Sequence, residues 1–211
     1  MGDRYPHPPS PNSTTMITAG DVAKLRDMTG AGMMDAKKAL TEAEGDMEKA
    51  VDILRASGAM KAAKKSERVT AEGRVHAYTH GTGKLSVLVE VMCETDFVAR
   101  TDSFVELCQD LAMHIAAAAP QYTTRAEVPA EVVEREKNVY REQLSAEGKP
   151  ADVIEKIMEG KLAKFYEEIC LMDQKFVKDD SISITNLLEQ KILAIGESIK
   201  IGRFVRIQLG V

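Results

Sequence analysis

Cys93-Glu94-Thr95-Asp96-Phe97-Val98-Ala99-Arg100 stands where one sequence period ends and another begins. Upstream, Leu85, Val87, Val89, Val91 and Cys93 alternate with Ser86, Leu88, Glu90 and Met92, the period of a strand with one covered face. Downstream, Phe104, Cys108, Leu111 and Ile115 recur at helical spacing up to Pro120 and make one apolar stripe. A strand runs directly into an amphipathic helix here, and together with a hairpin and one late strand this makes the expected fold α+β, a small antiparallel sheet covered by helices. Ser103-Phe104-Val105-Glu106 has the form of a capping box, which would start the long helix at Ser103, and Thr95 with Asp96 can cap a separate short turn ahead of it. Phe97 then has two fates: packed into the joint between sheet and helix, or projected outward. From the residues alone the junction is either a plain turn or a displayed acid and aromatic.

The strand into the junction belongs to a hairpin, with residues 74–80 as its first arm and Gly81-Thr82-Gly83 as its turn. Gly81-Thr82-Gly83-Lys84 is not a phosphate loop, since that motif needs wider glycine spacing and a following helix, and here a strand follows. Beyond Pro120, a helix from Pro129 to about Ser145 is broken by Gly148-Lys149-Pro150. A second helix follows, with Ile154, Ile157, Met158, Leu162, Phe165 and Ile169 on one side, so residues 130–172 form an antiparallel helical hairpin. A loop at 174–177, a helix bearing Leu187, Leu188 and Ile192, a turn at Gly196 and a last strand complete the chain. In that strand Ile199, Ile201, Val205, Ile207 and Leu209 share one parity. Residues 74–211 are thus expected to form a core of about three antiparallel strands covered by helices.

Towards the N-terminus, residues 1–15 hold four of the seven prolines among Ser, Thr and Asn and are expected to form a disordered tail. Thr18-Ala19-Gly20-Asp21 opens a helix carrying Val22 and Leu25, which stops at Thr29-Gly30-Ala31-Gly32. A second helix from Met33 to Ala43 turns Ala36, Ala39, Leu40 and Ala43 inward. A third begins after Asp46 with Met47, Ala50, Val51 and Leu54. Helices this short are marginal alone, so residues 16–57 must pack as one small bundle. Of the neighbours Met33 and Met34 only one can point squarely inward, which leaves the other as a contact for a partner or as a flank of the core. Residues 58–73 form a basic helical linker with Lys61, Lys64, Lys65 and Arg68, read first as a solvated face and second as a docking contact.

Composition narrows the function. A net charge of -5 gives no global attraction to phosphate backbones, so a protein partner is favoured over nucleic acid. Cys93, Cys108 and Cys170 have neither metal-ligand spacing nor an even count, which fits a reducing compartment. No apolar run reaches the length of a membrane span, and a cytoplasmic location is expected. His76 and His80 share a strand face with no acid or cysteine to complete a metal site. No pair has the relation of a nucleophile to its base, so the chain is not expected to be an enzyme, nor to need a cofactor or metal.

Several stretches together carry a resemblance: Thr29-Gly30-Ala31-Gly32-Met33-Met34-Asp35 followed by Lys37-Lys38-Ala39-Leu40, Lys61-Ala62-Ala63-Lys64-Lys65, Cys93 to Arg100, Met113-His114-Ile115-Ala116, Glu147-Gly148-Lys149-Pro150 and Glu159-Gly160-Lys161-Leu162. In this order, and over residues 16–211, the chain resembles the bacterial elongation factor Ts family, guanine-nucleotide exchange factors for elongation factor Tu. The resemblance implies that the three-helix bundle is a ubiquitin-associated-like (UBA-like) domain meeting the partner's nucleotide-binding domain, with Arg26, Met33, Met34 and Lys37 in the contact region and Lys65 just beyond it. It implies that Thr95, Asp96, Phe97 and Val98 displace Mg²⁺ from the partner's nucleotide site, and that His114 contacts the partner elsewhere. Longer members carry two copies of the core subdomain. This chain has room for one, and short members compensate as homodimers, here through the sheet or last strand. No direct nucleotide binding is implied. A second class of function fits the same residues: a dimeric adaptor whose helical bundle binds another protein.

Overall fold

The structure is a computed structural model that describes residues 17–65 and 67–210. The proline-rich residues 1–15, expected to be disordered, lie outside the described residues. The described chain divides into two compact units, one ending at Gly58 and the other beginning at Ala59.

In the first unit, α1 (Ala19–Thr29) is opened by the expected box: Thr18 Oγ1 accepts the Asp21 N–H at 3.2 Å while Asp21 Oδ2 accepts the Thr18 N–H at 2.9 Å. Caps of this kind contribute about 1 kcal/mol. Gly30, at φ 67°, ends the helix in the left-handed conformation that a side chain disfavours. Next come α2 (Met33–Glu42) and α3 (Met47–Lys65), the latter capped by Asp46 Oδ1, which accepts the Lys49 N–H at 3.1 Å. Val22, Leu25, Ala36, Ala39, Leu40, Ala50 and Leu54 are buried between them. Alanines line much of this interface, so the helices approach closely around the two leucines Leu25 and Leu40, which have no exposed surface.

In the second unit, β1 (Glu72–His80) and β2 (Leu85–Cys93) form the hairpin, α4 (Asp96–Ala99) is the single turn at the junction, and α5 (Asp102–Ala118) is the long helix. The hairpin α6 (Ala130–Ala146) and α7 (Ala151–Ile169) follows. Then come β3 (Lys175–Phe176), β4 (Asp179–Ser183), α8 (Ile184–Ile195) and β5 (Lys200–Gln208). The main sheet is antiparallel in the order β1-β2-β5. Val87, Val89 and Val91 of β2 pack with Phe104, Leu107, Cys108, Leu111 and Ile115 of α5 and with Ile184, Leu188 and Ile192 of α8. Each large apolar side chain so buried contributes about 1.5–3 kcal/mol. The α6/α7 hairpin has its own small clusters, Leu144 with Ile154 and Met158 towards the turn, and Val128 with Ile169 and Cys170 at the base.

Three sequence expectations change. The cap of α5 is Thr101, whose side chain accepts the Phe104 N–H, so the helix begins ahead of the Ser103 box. Thr101 Oγ1 also donates to the Val98 carbonyl at 2.9 Å, and this double use makes it the better cap. The 174–177 loop is the start of a two-stranded ribbon, β3 with β4. Thirdly, the apolar parity of β5 does not hold along the strand. Val91 pairs with Ile201 and Val89 with Phe204, so Gly202 and Arg203 together oppose Glu90 in a β-bulge. Ile199 and Ile201 face the core before the bulge and Phe204 faces it afterwards, which leaves Val205, Ile207 and Leu209 exposed. With Val75 and Leu88 they give the outer face of the sheet an apolar patch, beside the Glu90–Arg203 ion pair at the bulge.

Candidate functional site

At the junction between β2 and α5 the chain forms the single turn α4. Thr95 caps it in an extended conformation, its hydroxyl oxygen facing the Val98 N–H at 3.4 Å. Val98 packs against the core and Ala99 is buried, whereas Phe97 is 79% exposed. A single turn therefore has its last two residues rooted and its aromatic displayed, and of the two fates open to Phe97 the outward one holds. Asp96 meets Arg100 at 2.8 Å, four residues on and largely in solvent. An exposed pair of this kind contributes less than about 1 kcal/mol, so a partner can take the carboxylate from Arg100 at small cost.

The foot of the turn is held firmly. Glu197 Oε2 accepts the N–H groups of Glu94 and Thr95, each at 3.1 Å, and Glu197 Oε1 accepts the Thr95 hydroxyl at 2.6 Å. In return the Ser198 N–H donates to Glu94 Oε1 at 2.6 Å, and Arg68 approaches the same carboxylate at 3.3 Å. The Ser198 N–H, with Arg68 adding to it, holds the Glu94 carboxyl below the usual carboxylate range. Cys93 is buried beneath, its Sγ donating to the Thr95 carbonyl at 3.1 Å. Burial first, and then the Glu197 charge, push its thiol pKa up, so it is a neutral packing group.

The other sequence candidates fall into separate groups. In the first unit Met33 is 52% and Met34 76% exposed, so neither is drawn into the bundle, and Arg26 and Lys37 are exposed as well. Met34 and Lys37 line a shallow groove on α2 with Lys38 and Thr41. Met28, not among the residues expected from the sequence to meet a partner, is exposed beside Met47 and Val51. The sequence carries little signal for it, because Met28 stands three residues after Leu25 and reads as a continuation of the Val22 and Leu25 stripe. In the second unit Lys65 donates through Nζ to the Gly196 carbonyl, in the same turn that carries Glu197.

His114 differs from the rest. It has no exposed surface, and its ring is held between two partners: Nδ1 accepts the Val177 N–H at 3.3 Å, so Nε2 carries the proton and donates to Gln174 Oε1 at 3.0 Å. Burial lowers its pKa, opposed by the Gln174 bond. As the structure stands His114 offers a partner nothing to touch, because helix α5 points it under the ribbon at 174–177. Its place is that of a support for that ribbon.

Among the described residues there is no cluster of three or more His, Cys, Asp or Glu placed to hold a metal ion, and no helix long and apolar enough to cross a membrane. What the geometry offers is surface: an aromatic and an acid on a braced turn, exposed methionines with basic neighbours, and the outer face of the sheet.

Comparison with known proteins agrees over nearly the whole chain. The family model described as Elongation factor TS matches residues 31–211. The chain is 57% identical over 194 residues to Elongation factor Ts of Fervidobacterium nodosum, covering 92% of this chain and 98% of that protein. It is 55% identical over 195 residues to the Carboxydothermus hydrogenoformans protein of the same name, covering 92% and 90%. With the Thermosipho melanesiensis protein, also called Elongation factor Ts, the identity is 54% over 195 residues, covering 92% of this chain and 100% of that one. The matches span nine-tenths or more of each of these three proteins, and the chain belongs to the elongation factor Ts family.

Proposed function

We propose that this protein is the guanine-nucleotide exchange factor for elongation factor Tu, and that the turn Thr95-Asp96-Phe97-Val98 is its wedge. The observation that carries this is the posture of Phe97, exposed on a turn whose neighbouring residues are anchored in the core. An aromatic has large rigid area and few rotors, so it enters a joint between partner helices at small entropic cost. Tight nucleotide binding by a GTPase depends on Mg²⁺ bridging the phosphates and protein oxygens. A wedge that shifts the surrounding helices weakens those contacts without itself bonding the nucleotide. The factor therefore works by binding, with no bond chemistry, no metal and no cofactor of its own.

Arg26, Met28, Met33, Met34 and Lys37 supply a soft, basic surface for the partner's nucleotide-binding domain, as a UBA-like bundle would. By linkage, each tenfold loss of nucleotide affinity corresponds to about 1.4 kcal/mol of coupling, and nucleotide weakens the factor's binding by the same ratio, so incoming GTP releases it. The apolar patch on the outer face of the sheet, Val75, Leu88, Val205, Ile207 and Leu209, supports pairing with a second copy, which would place two wedges on one cytoplasmic assembly.

The test is release of labelled GDP from elongation factor Tu. The protein should accelerate it, and Phe97→Ala should lower the accelerated rate by about tenfold or more while thermal unfolding stays near that of the parent. Near-normal release by the variant would exclude the wedge.

A further inference from the structure

A projecting wedge is useful only if its foot does not move, and the hydrogen bonds at that foot converge on one side chain. Glu197 lies in the turn between α8 and β5, 102 residues from Thr95 in the sequence, and three donors reach its carboxylate: the N–H groups of Glu94 and Thr95, and the Thr95 hydroxyl. The third bond does more than tether. A threonine hydroxyl has one proton, and giving it to Glu197 turns the oxygen's lone pairs towards the Val98 N–H, which is the cap that starts α4. Glu197 therefore sets both where the segment sits and where its turn begins. The reciprocal bond from the Ser198 N–H to Glu94 closes the brace, and Lys65 on Gly196 joins the end of α3 to the same turn.

We propose that Glu197 is the positioning residue of the wedge, acting through Thr95 on the placement of Asp96 and Phe97; this rests on the exchange role proposed above. Three of the roughly four acceptor positions of its carboxylate are occupied at the foot of the turn, so its effect reaches the partner through Thr95. Without the brace, the segment has to be ordered when it meets the partner, and that ordering draws on interaction energy otherwise available to displace nucleotide.

Glu197→Ala should lower the maximal rate of labelled GDP release at saturating factor by about tenfold, because small misplacements of a group that must meet a fixed geometry are costly. The factor concentration giving half-maximal release should stay within about twofold, since the α1 and α2 surface is untouched. Glu197→Gln should recover to within about threefold of the parent: its amide oxygen can take both N–H groups and its NH₂ can donate to the Thr95 oxygen. A second readout needs no partner. Amide hydrogen exchange at Thr95 and Val98 should speed up by about tenfold in the alanine variant and stay near parental in the glutamine variant. If the alanine variant does not fold, Glu197→Asp, which keeps the charge but withdraws it by one methylene, carries the same two expectations. Parental exchange protection and a parental maximal rate in a folded alanine or aspartate variant would overturn the proposal. Failure of the parent to accelerate GDP release would overturn the exchange role instead, while the protection measurement would still decide whether Glu197 holds the segment.

Discussion

Phe97 and His114 are at opposite extremes of exposure, and both are fixed by what their neighbours on the chain do. Phe97 is outward because Val98 and Ala99 are inward on the same single turn, and one turn cannot bury consecutive residues all round. His114 is inward on α5, and its Nδ1 accepts a backbone N–H, which only the neutral ring can do. Its lowered pKa has a consequence for stability. Above the unfolded value of 6.5 the ring is neutral in both states and its contribution is complete; as pH falls below 6.5 the unfolded chain takes up a proton that the folded one refuses, and stability is lost until the lowered folded pKa is reached. Thermal unfolding of the parent between about pH 7 and 5 should therefore fall more steeply than that of His114→Gln. At pH 7 the variant should be the less stable by about 1–3 kcal/mol, through the lost bonds to Gln174 and Val177. Equal slopes would mean that the buried ring is not held neutral.

At the scale of elements, the alternation in β2, the stripe on α5, the Thr18 box and the break at Gly148 to Pro150 were all legible, because each is fixed by residues within a few positions of one another. The cap of α5 was misplaced by local competition: two hydroxyl residues stand at 101 and 103, and the choice between them is made by the Val98 carbonyl, a contact that exists only once α4 has formed. The brace at Glu197 was not legible at all, since its bonds span about a hundred residues and no pattern within either segment announces them. Gly73 is a similar case. It looks like a linker glycine, yet it pairs with Met92 inside the sheet, and a Cβ there would stand 2.3 Å from the Val91 carbonyl oxygen and 2.7 Å from Met92 Cα at φ 149°. Backbone atoms cannot yield as a flexible side chain can, so Gly73→Ala should destabilise the second unit by about 2 kcal/mol or more, measured by denaturant unfolding, with near-UV dichroism unchanged under native conditions.

At the scale of the whole molecule, the outer face of the three-stranded sheet carries exposed apolar side chains. The second copy proposed above would cover its apolar patch of Val75, Leu88, Val205, Ile207 and Leu209, on strands whose other side is committed to α5 and α8. On that proposal light scattering should give the mass of two chains for the parent, and Leu88→Lys with Val205→Glu should shift it towards one while the helical content is kept. A parental mass in the double variant would place any pairing elsewhere. The two sites, wedge and sheet face, are separable in this arrangement, so the monomeric variant tests whether one wedge suffices for nucleotide release.

The bulge opposite Glu90 gives this face its origin. It acts on β5 as a frameshift acts on a message: after one uncompensated residue, every later side chain is read on the opposite side. The same run of valine, isoleucine and leucine that would have filled an interior is delivered to the exterior, and Phe204 takes the interior place. The boundary between what the protein keeps for itself and what it can offer to another molecule is thus set, along this strand, by a change of phase at Gly202 and Arg203.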